Sequence, residues 1–134
     1  MKLEGTWYVV ATNFPMWTKG DRKNPRFIYG AERDGRFDDT VEYEQGGRTK
    51  QINGIDTIAS PNKFVWRGKG WLRFFTSRWE IISVSSDEQL VALSFTKTLF
   101  TPAGVDIISR SEEVSDQALG TMLKAIGNPQ LSRI

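Results

Sequence analysis

Residues 3–11 read LEGTWYVVA. After Gly5 the stretch is rich in β-branched and aromatic residues, and Trp7, Val9 and Ala11 fall on one face of a period-2 pattern, the signature of a β-strand with one buried side. Trp7 brings a large apolar face and one N–H donor before the chain has supplied a core to receive them. A residue from the far end of the sequence has to return and cover it. The reading of the fold turns on which residue that is.

Composition narrows the possibilities. The chain has 134 residues, enough for one domain with a sizeable core, and a single domain is expected over residues 1–134. Hydrophobic residues at 39% and charged residues at 25% are ordinary for a globular domain. The net charge is only +2 and the basic residues are spread along the chain, so nothing points to nucleic acid. With no Cys there is no disulfide, thiol nucleophile or thiolate metal site. With no His the commonest general base and the commonest metal and haem ligand are absent too. Ser-His-Asp and Cys-His catalysis are thereby excluded, and binding gains over catalysis. No catalytic residue, metal site or cofactor is assigned.

No stretch approaches transmembrane length, and the opening MKLEGTWYVV is too short, and at Glu4 too acidic, for a signal peptide. A cytoplasmic protein fits. An extracytoplasmic one, periplasmic or membrane-associated with its leader removed, is the favoured expectation.

Working outward from the first stretch, short β-type segments follow one another between turn residues. EGTWYVVATNF (4–14) leads into a loop, PMWTKGDRKNP (15–25). RFIYGAE (26–32) and FDDTVEYE (37–44) are joined through Asp34-Gly35, a strong hairpin signal. Gly46-Gly47 turns into RTKQINGIDTIA (48–59), and Ser60-Pro61-Asn62 into KFVWRGK (63–69). After Gly70 come WLRFFTSRWEIISVS (71–85), QLVALSFTKTLF (89–100) and VDIISRS (105–111). About eight strands in meander order, within residues 4–111, predict an all-β barrel or sandwich.

One helix ends the pattern, at about 115–127. Ser115 is placed as its N-cap, with Val114 and Leu119 able to form a hydrophobic staple across it. Leu119, Met122, Leu123 and Ile126 make a single apolar stripe that must lie on the outside of the sheet. Gly127 and Pro129 stop it.

This order, with GTWY in the first strand and IISRS closing the last, resembles the lipocalin family, and most nearly its bacterial-type members. The family's Gly-x-Trp falls on Gly5 and Trp7, and its last-strand Arg on Arg110, followed by a short turn and a helix. The resemblance implies an eight-stranded antiparallel up-and-down barrel with one C-terminal helix packed outside it. It also implies that Arg110 lies across the face of Trp7 where the first and last strands meet, a cation–π contact of about 1 kcal/mol. Gly5, Trp7 and Arg110 are then structural rather than ligand contacts.

If Trp7 points inward, parity places Val9 and Ala11 inward as well, then Phe27, Tyr29 and Ala31, and Phe37, Asp39, Val41 and Tyr43. Ile52, Gly54, Asp56 and Ile58 follow, then Phe64 and Trp66, and Trp79, Ile81 and Ser83. The seventh strand is apolar on both faces, and parity fails there. A lining of Tyr29, Phe37, Tyr43, Phe64, Trp66 and Trp79 suits a small hydrophobic ligand, or a barrel plugged by its own side chains. Asp39, Asp56 and Asp106 are expected near strand ends in water, because Asp is seldom buried. If they face inward instead, they would anchor a ligand's polar head group or act as an acid/base pair, with Arg67, Arg73 or Arg78 as candidate partners.

The first loop carries Phe14, Met16 and Trp17 among Lys19, Arg22, Lys23 and Arg26. In lipocalins this loop crosses the open end, so Trp17 and Arg26 join the expected ligand contacts as a lip that meets an acyl chain and its anionic head, while a solvated basic loop with Trp17 tucked back on the barrel rim is the other reading. GKGWLRFF (68–75) offers a similar mix but no phosphate-loop pattern.

The expected function is binding or transport of a small hydrophobic molecule, fatty-acid or lysolipid-like, by a monomer or weak homodimer that also makes peripheral contact with membranes. Two alternatives stand beside it. One is an enzyme on the same scaffold using Asp39 or Asp56 with Tyr29 or Tyr43 as acid and base. The other is a filled barrel acting as an interaction module through a patch around Leu99 and Phe100.

Overall fold

The first strand, β1 (Gly5–Thr12), is paired along both edges. In this computed structural model, which describes residues 1–134, Gly5–Tyr8 pair with β2 (Lys23–Tyr29) and Tyr8–Thr12 with β8 (Gly104–Ser109), both antiparallel. Between them β3 (Arg36–Gln45), β4 (Arg48–Ser60), β5 (Lys63–Gly68), β6 (Thr76–Val84) and β7 (Leu90–Phe95) each pair with the next. The eight strands close an antiparallel up-and-down barrel, which leaves the sheet no long edge to aggregate through. A two-residue β9 (Ser132–Arg133), which has no signal in the sequence, pairs with Ala11 and Thr12 where β2 no longer reaches.

The closed end is built on the Trp7–Arg110 contact. Trp7 is fully buried, its Nε1 donates to the Leu3 carbonyl at 2.8 Å, and the Arg110 guanidinium sits 3.9 Å above the ring centre. Gly5 completes the unit. It takes φ +112°, and a Cβ there would lie 2.8 Å from Arg110 Nη1, so a side chain would push the guanidinium off the indole. Arg110 Nη2 also donates to the Lys2 carbonyl at 2.9 Å, tying the chain's start to its last barrel strand.

Helix α2 (Asp116–Ala125) follows as expected. Ser115 Oγ accepts from the Ala118 N–H at 3.1 Å, and Leu119 and Met122 are buried on Val10, Ala11, Leu90, Ala92 and Ile107. Each of those two helix side chains contributes about 1.5–3 kcal/mol by leaving water. Val114 packs in the same cluster, as the staple requires. This layer also explains why β7 is apolar on both faces. Val91 and Leu93 point into the barrel, while Leu90 and Ala92 lie under the helix.

Five segments depart from the simple strand-and-parity reading. A register shift between Val9 and Ala11 inserts one extra residue, so Ala11 turns outward beneath α2 instead of inward. A second shift between Ile81 and Ser83 moves Ser83 to the helix side, where it lines a surface cleft beside α2. Ala31 lies beyond the end of β2 and is exposed. Finally, Gly70–Phe74 is a 3₁₀ turn and not the start of β6, and β7 stops at Phe95, leaving residues 96–103 as a loop. Gly70, at φ +63°, is the residue that lets the chain leave the sheet there.

Candidate functional site

The up-and-down topology gathers four loops at the end opposite Trp7: those after β1, β3, β5 and β7. Below them the barrel is open and holds a cavity of about 730 Å³. Most of its lining is hydrophobic, and Phe14, Phe27, Tyr29, Trp66, Trp79 and Phe95 make it strongly aromatic. The rings are ordered against one another. Trp79 stacks on Phe64 at 4.2 Å between centroids, on Tyr29 at 5.8 Å and near Phe95 at 6.1 Å, while Phe37 meets Tyr29 and Phe64 edge-on at 5.7 Å each. Such offset and edge-to-face pairs hold the walls rigid.

Two glycines make room for these rings. A Cβ on Gly54 would lie 2.2 Å from the Trp66 indole, and one on Gly104 would lie 2.5 Å from the Phe14 ring. Neither requirement was visible in the sequence, because it depends on which ring crosses which strand.

Four of the expected ligand contacts line the cavity: Tyr29, Trp66, Trp79 and Trp17. Phe37 and Phe64 lie one layer behind, buttressing Tyr29 and Trp79. Tyr43 is also out of the lining, packed edge-on against Trp17 at 5.7 Å and covered by Arg22 at 5.2 Å. Trp17 is buried, so the first loop does not hold it out as an exposed lip. It sits on the helical turn α1 (Pro15–Thr18), with Met16 beside it in the cavity wall.

Arg26 is misplaced by the lip reading. It faces outward from β2, where its guanidinium donates to Glu44 at 2.7 Å and Glu42 at 2.9 Å, and it does not touch the cavity. Phe27 and Tyr29 take the inward positions, so the residue between Pro25 and Phe27 has to face out. Its hydrogen bonds to Glu44 and Glu42 raise the Arg26 pKa and keep the cation committed there.

The largest correction concerns the acids. Asp39, Asp56 and Asp106 are not in water: they are 5%, 0% and 1% exposed. Asp39 on β3 and Asp56 on β4 are diagonal neighbours on the inner face, since Asp39 pairs with Gly54 and Asp56 with Phe37. Asp106 on β8 faces them across the barrel, opposite Thr12. Asp39 and Asp106 line the cavity itself. Trp79 Nε1 donates to one Asp56 oxygen at 3.0 Å. One oxygen of each carboxyl is buried with no hydrogen-bond partner.

None of the proposed arginines reaches these acids. Arg67 donates to the Arg73 carbonyl and Arg73 lies over Phe74, both outside the barrel, while Arg78 is exposed. The chain's four ion pairs are elsewhere, and Lys97, at the mouth, is the one cation lining the cavity.

Burial without a cation decides their protonation. Desolvation drives Asp39 well above the usual carboxylate range, and its neighbour Asp56 adds to the rise. Asp56 is also raised by burial, with Asp39 and the Trp79 N–H pulling back. Asp106 is pushed up to about 7 by burial, against a smaller opposing pull from the Thr12 hydroxyl. The Tyr29 phenol is held far above its ordinary value by burial and by the field of all three acids. The pocket is therefore an aromatic chamber with acids on two facing walls, able to store protons or to meet a positive charge.

No protein-family model matches the chain, and no curated protein does. Solved structures do match over nearly its whole length. One is the siderocalin Ex-FABP, a protein of dual ligand specificities, at TM-score 0.69 and 16% identity over 90% of this chain and 82% of that one. Another is lobster apocrustacyanin A1, at TM-score 0.68 and 19% identity, covering 93% of this chain and 69% of the other. Apocrustacyanin C1 gives TM-score 0.68 and 20% identity with the same coverage. With an eight-stranded barrel sealed by Trp7 and Arg110, one C-terminal helix outside it and these neighbours, the chain has the lipocalin fold.

Proposed function

We propose that this protein binds and carries a small hydrophobic molecule in its barrel cavity. The observation that carries the reading is the open, aromatic-lined space of about 730 Å³, within the roughly 300–1,000 Å³ usual for small-molecule sites. A barrel plugged by its own side chains would leave no such volume. The test is titration with N-phenyl-1-naphthylamine, a neutral hydrophobic probe. The expected result is one probe per protein with micromolar affinity and quenching of Trp66 and Trp79, which form the wall. Absence of saturable binding overturns the proposal.

A fatty acid or lysolipid remains one version of this ligand. Its support is Lys97 at the mouth, which would hold an anionic head there with the acyl chain pointing inward. The rim favours a membrane as the source of cargo. Trp71, Phe74, Leu99 and Phe100 are 75%, 76%, 94% and 72% exposed around the mouth, and Arg73 and Lys97 stand among them. Bare aromatics with cations at the entrance suit the headgroup region of a bilayer with some anionic lipid. With it we propose an extracytoplasmic, membrane-associated location. Co-sedimentation with vesicles of phosphatidylcholine and phosphatidylglycerol should fall several-fold in a Trp71→Ser, Leu99→Ser double variant. If it is unchanged, the rim is not the contact, and light scattering that shows a dimer lost in the same variant would make the rim a self-association patch.

The acid–base alternative also has an observation behind it, since Asp39 and Asp56 neighbour each other in the pocket within the field of Tyr29. Turnover of a ligand in the binding assay, abolished by Asp56→Asn, would favour it.

A further inference from the structure

No basic side chain pairs with the carboxyls in the barrel, although Trp79 donates to Asp56 and Asp39 and Asp56 neighbour each other. We propose, building on the ligand-binding reading above, that the cavity's cargo is a hydrophobic amine whose ammonium group seats between Asp39 and Asp106 while its apolar body fills the aromatic chamber.

Three independent features of the pocket converge on this chemistry. The first is the orphaned atoms. Asp39 and Asp106 line the cavity, each more than nine-tenths buried, and each keeps a buried oxygen with no hydrogen-bond partner. A buried acceptor left unpaired is costly, and an N–H donor from a ligand removes that cost. The second is placement. Asp39 on β3 and Asp106 on β8 both line this one cavity, and Lys97 at its mouth is the only cation in the lining to compete for them. The third is the walls. Trp79, Tyr29 and Phe95 stack around the same space, and aromatic faces attract a cation while repelling an anion.

The same features dismiss other occupants of the inner chamber. A carboxylate lowered to this depth would face three acids and electron-rich rings. A divalent metal finds no group of three His, Cys, Asp or Glu side chains placed to hold it. A neutral alcohol could satisfy one orphaned oxygen but would leave the acids no positive charge.

Proton linkage follows from the groups that face the ammonium. They are Tyr29 from β2, Asp39 from β3, Asp56 from β4 and Asp106 from β8, with Lys97 at the mouth; β1, β5, β6 and β7 present only uncharged side chains to the chamber. Burial favours the protonated form of all three carboxyls, raising Asp39 and Asp56 and pushing Asp106 up to about 7. An ammonium group favours the ionised carboxylate and so expels a proton, and its affinity falls as the medium becomes acidic. A fatty acid behaves oppositely, since acidification discharges the walls that repel it.

The experiment is displacement of bound N-phenyl-1-naphthylamine by decylamine, 1-decanol and decanoate, three ligands with one body and three heads, at about pH 8 and about pH 5.5. At the higher pH decylamine is expected to bind about tenfold more tightly than decanol, with decanoate weakest. At the lower pH the amine's advantage should shrink several-fold. The isosteric double variant Asp39→Asn, Asp106→Asn, its fold checked by circular dichroism and its own probe affinity measured first, should show a decylamine-to-decanol affinity ratio near one. Should that variant fail to fold, each single Asn variant provides the same readout. Decanol matching decylamine at the higher pH, or decanoate exceeding it, overturns the amine assignment and leaves the hydrophobic-carrier reading standing. Displacement by none of the three, with no probe binding, overturns both.

Discussion

Replacing Asp106 by Asn should make the protein more stable in alkaline buffer and flatten its dependence on pH. The carboxyl titrates near pH 7 in the barrel and near 3.8 in the unfolded chain. Between those values the folded state holds a proton that the unfolded state has released, so stability declines as pH rises through this window. From pH 5 to pH 8 the loss from this residue alone is about 2–3 kcal/mol. Asp39, shifted in the same direction, adds to it. An asparagine amide has the same shape and no proton to lose, though its NH₂ group needs a partner and offsets about 1 kcal/mol of the gain. Urea unfolding at the two pH values should show the wild-type difference shrinking by about 2 kcal/mol in Asp106→Asn. An unchanged difference would mean that Asp106 stays ionised when buried, held by a cation or water that the barrel admits.

The second large effect falls at the opposite end of the barrel. Trp7→Ala removes a fully buried indole, its hydrogen bond to Leu3 and the surface on which Arg110 lies. Large-to-small core changes of this kind cost about 3–5 kcal/mol. Here the loss of the cation–π contact adds about 1 kcal/mol. Trp7→Phe keeps a ring under the guanidinium and gives up the indole N–H, so about half that loss is expected. Denaturant titration at neutral pH measures both. A cost below about 1 kcal/mol for Trp7→Ala would show that the closed end can collapse and that β1 and β8 are held without the Trp7–Arg110 pair.

These two residues also mark how far the sequence could be read. Trp7 and Arg110 were legible through the resemblance to lipocalins, whose Gly-x-Trp and last-strand Arg fall on them, and the role of Gly5 shows once the guanidinium is seen to occupy the space of its missing Cβ. The helix was legible because Ser115 and the Leu119–Met122 stripe obey local rules of capping and periodicity. Strand parity was sound over β3, β4 and β5, where pairing is regular along the residues that face inward.

Parity failed where the barrel bends. At Val9–Ala11 and Ile81–Ser83 one extra residue reverses the faces, and a single sequence carries no mark of a bulge when the inserted residue is a Val or an Ile. Across WLRFF the apolar residues mimicked a strand, although Gly70 supplied the signal for a break that the alternation concealed. The acids were misread for a sounder reason. Asp is mostly exposed, and that expectation gives way only when a cavity of specific chemistry holds the carboxyl. Asp39 and Asp56 in fact fell on the inward parity, so the pattern held and the general rule misled. Arg26 shows the reverse error: a basic residue near a lip was given to the ligand, while Glu42 and Glu44 on the adjacent strand were its partners.

Central to the function proposed here is that the barrel is hollow where the aromatic walls meet, and that the cargo occupies this hollow. Ser77 faces it from β6, two residues before Trp79 and on the same side of the strand. Ser77→Trp fills the space from within without touching Trp7, Arg110 or the helix. In a titration with N-phenyl-1-naphthylamine, this variant should lose at least about tenfold in affinity while its unfolding midpoint stays within a few degrees of wild type. Wild-type affinity retained in a folded Ser77→Trp protein would contradict the proposal, since the ligand would then bind somewhere other than the barrel.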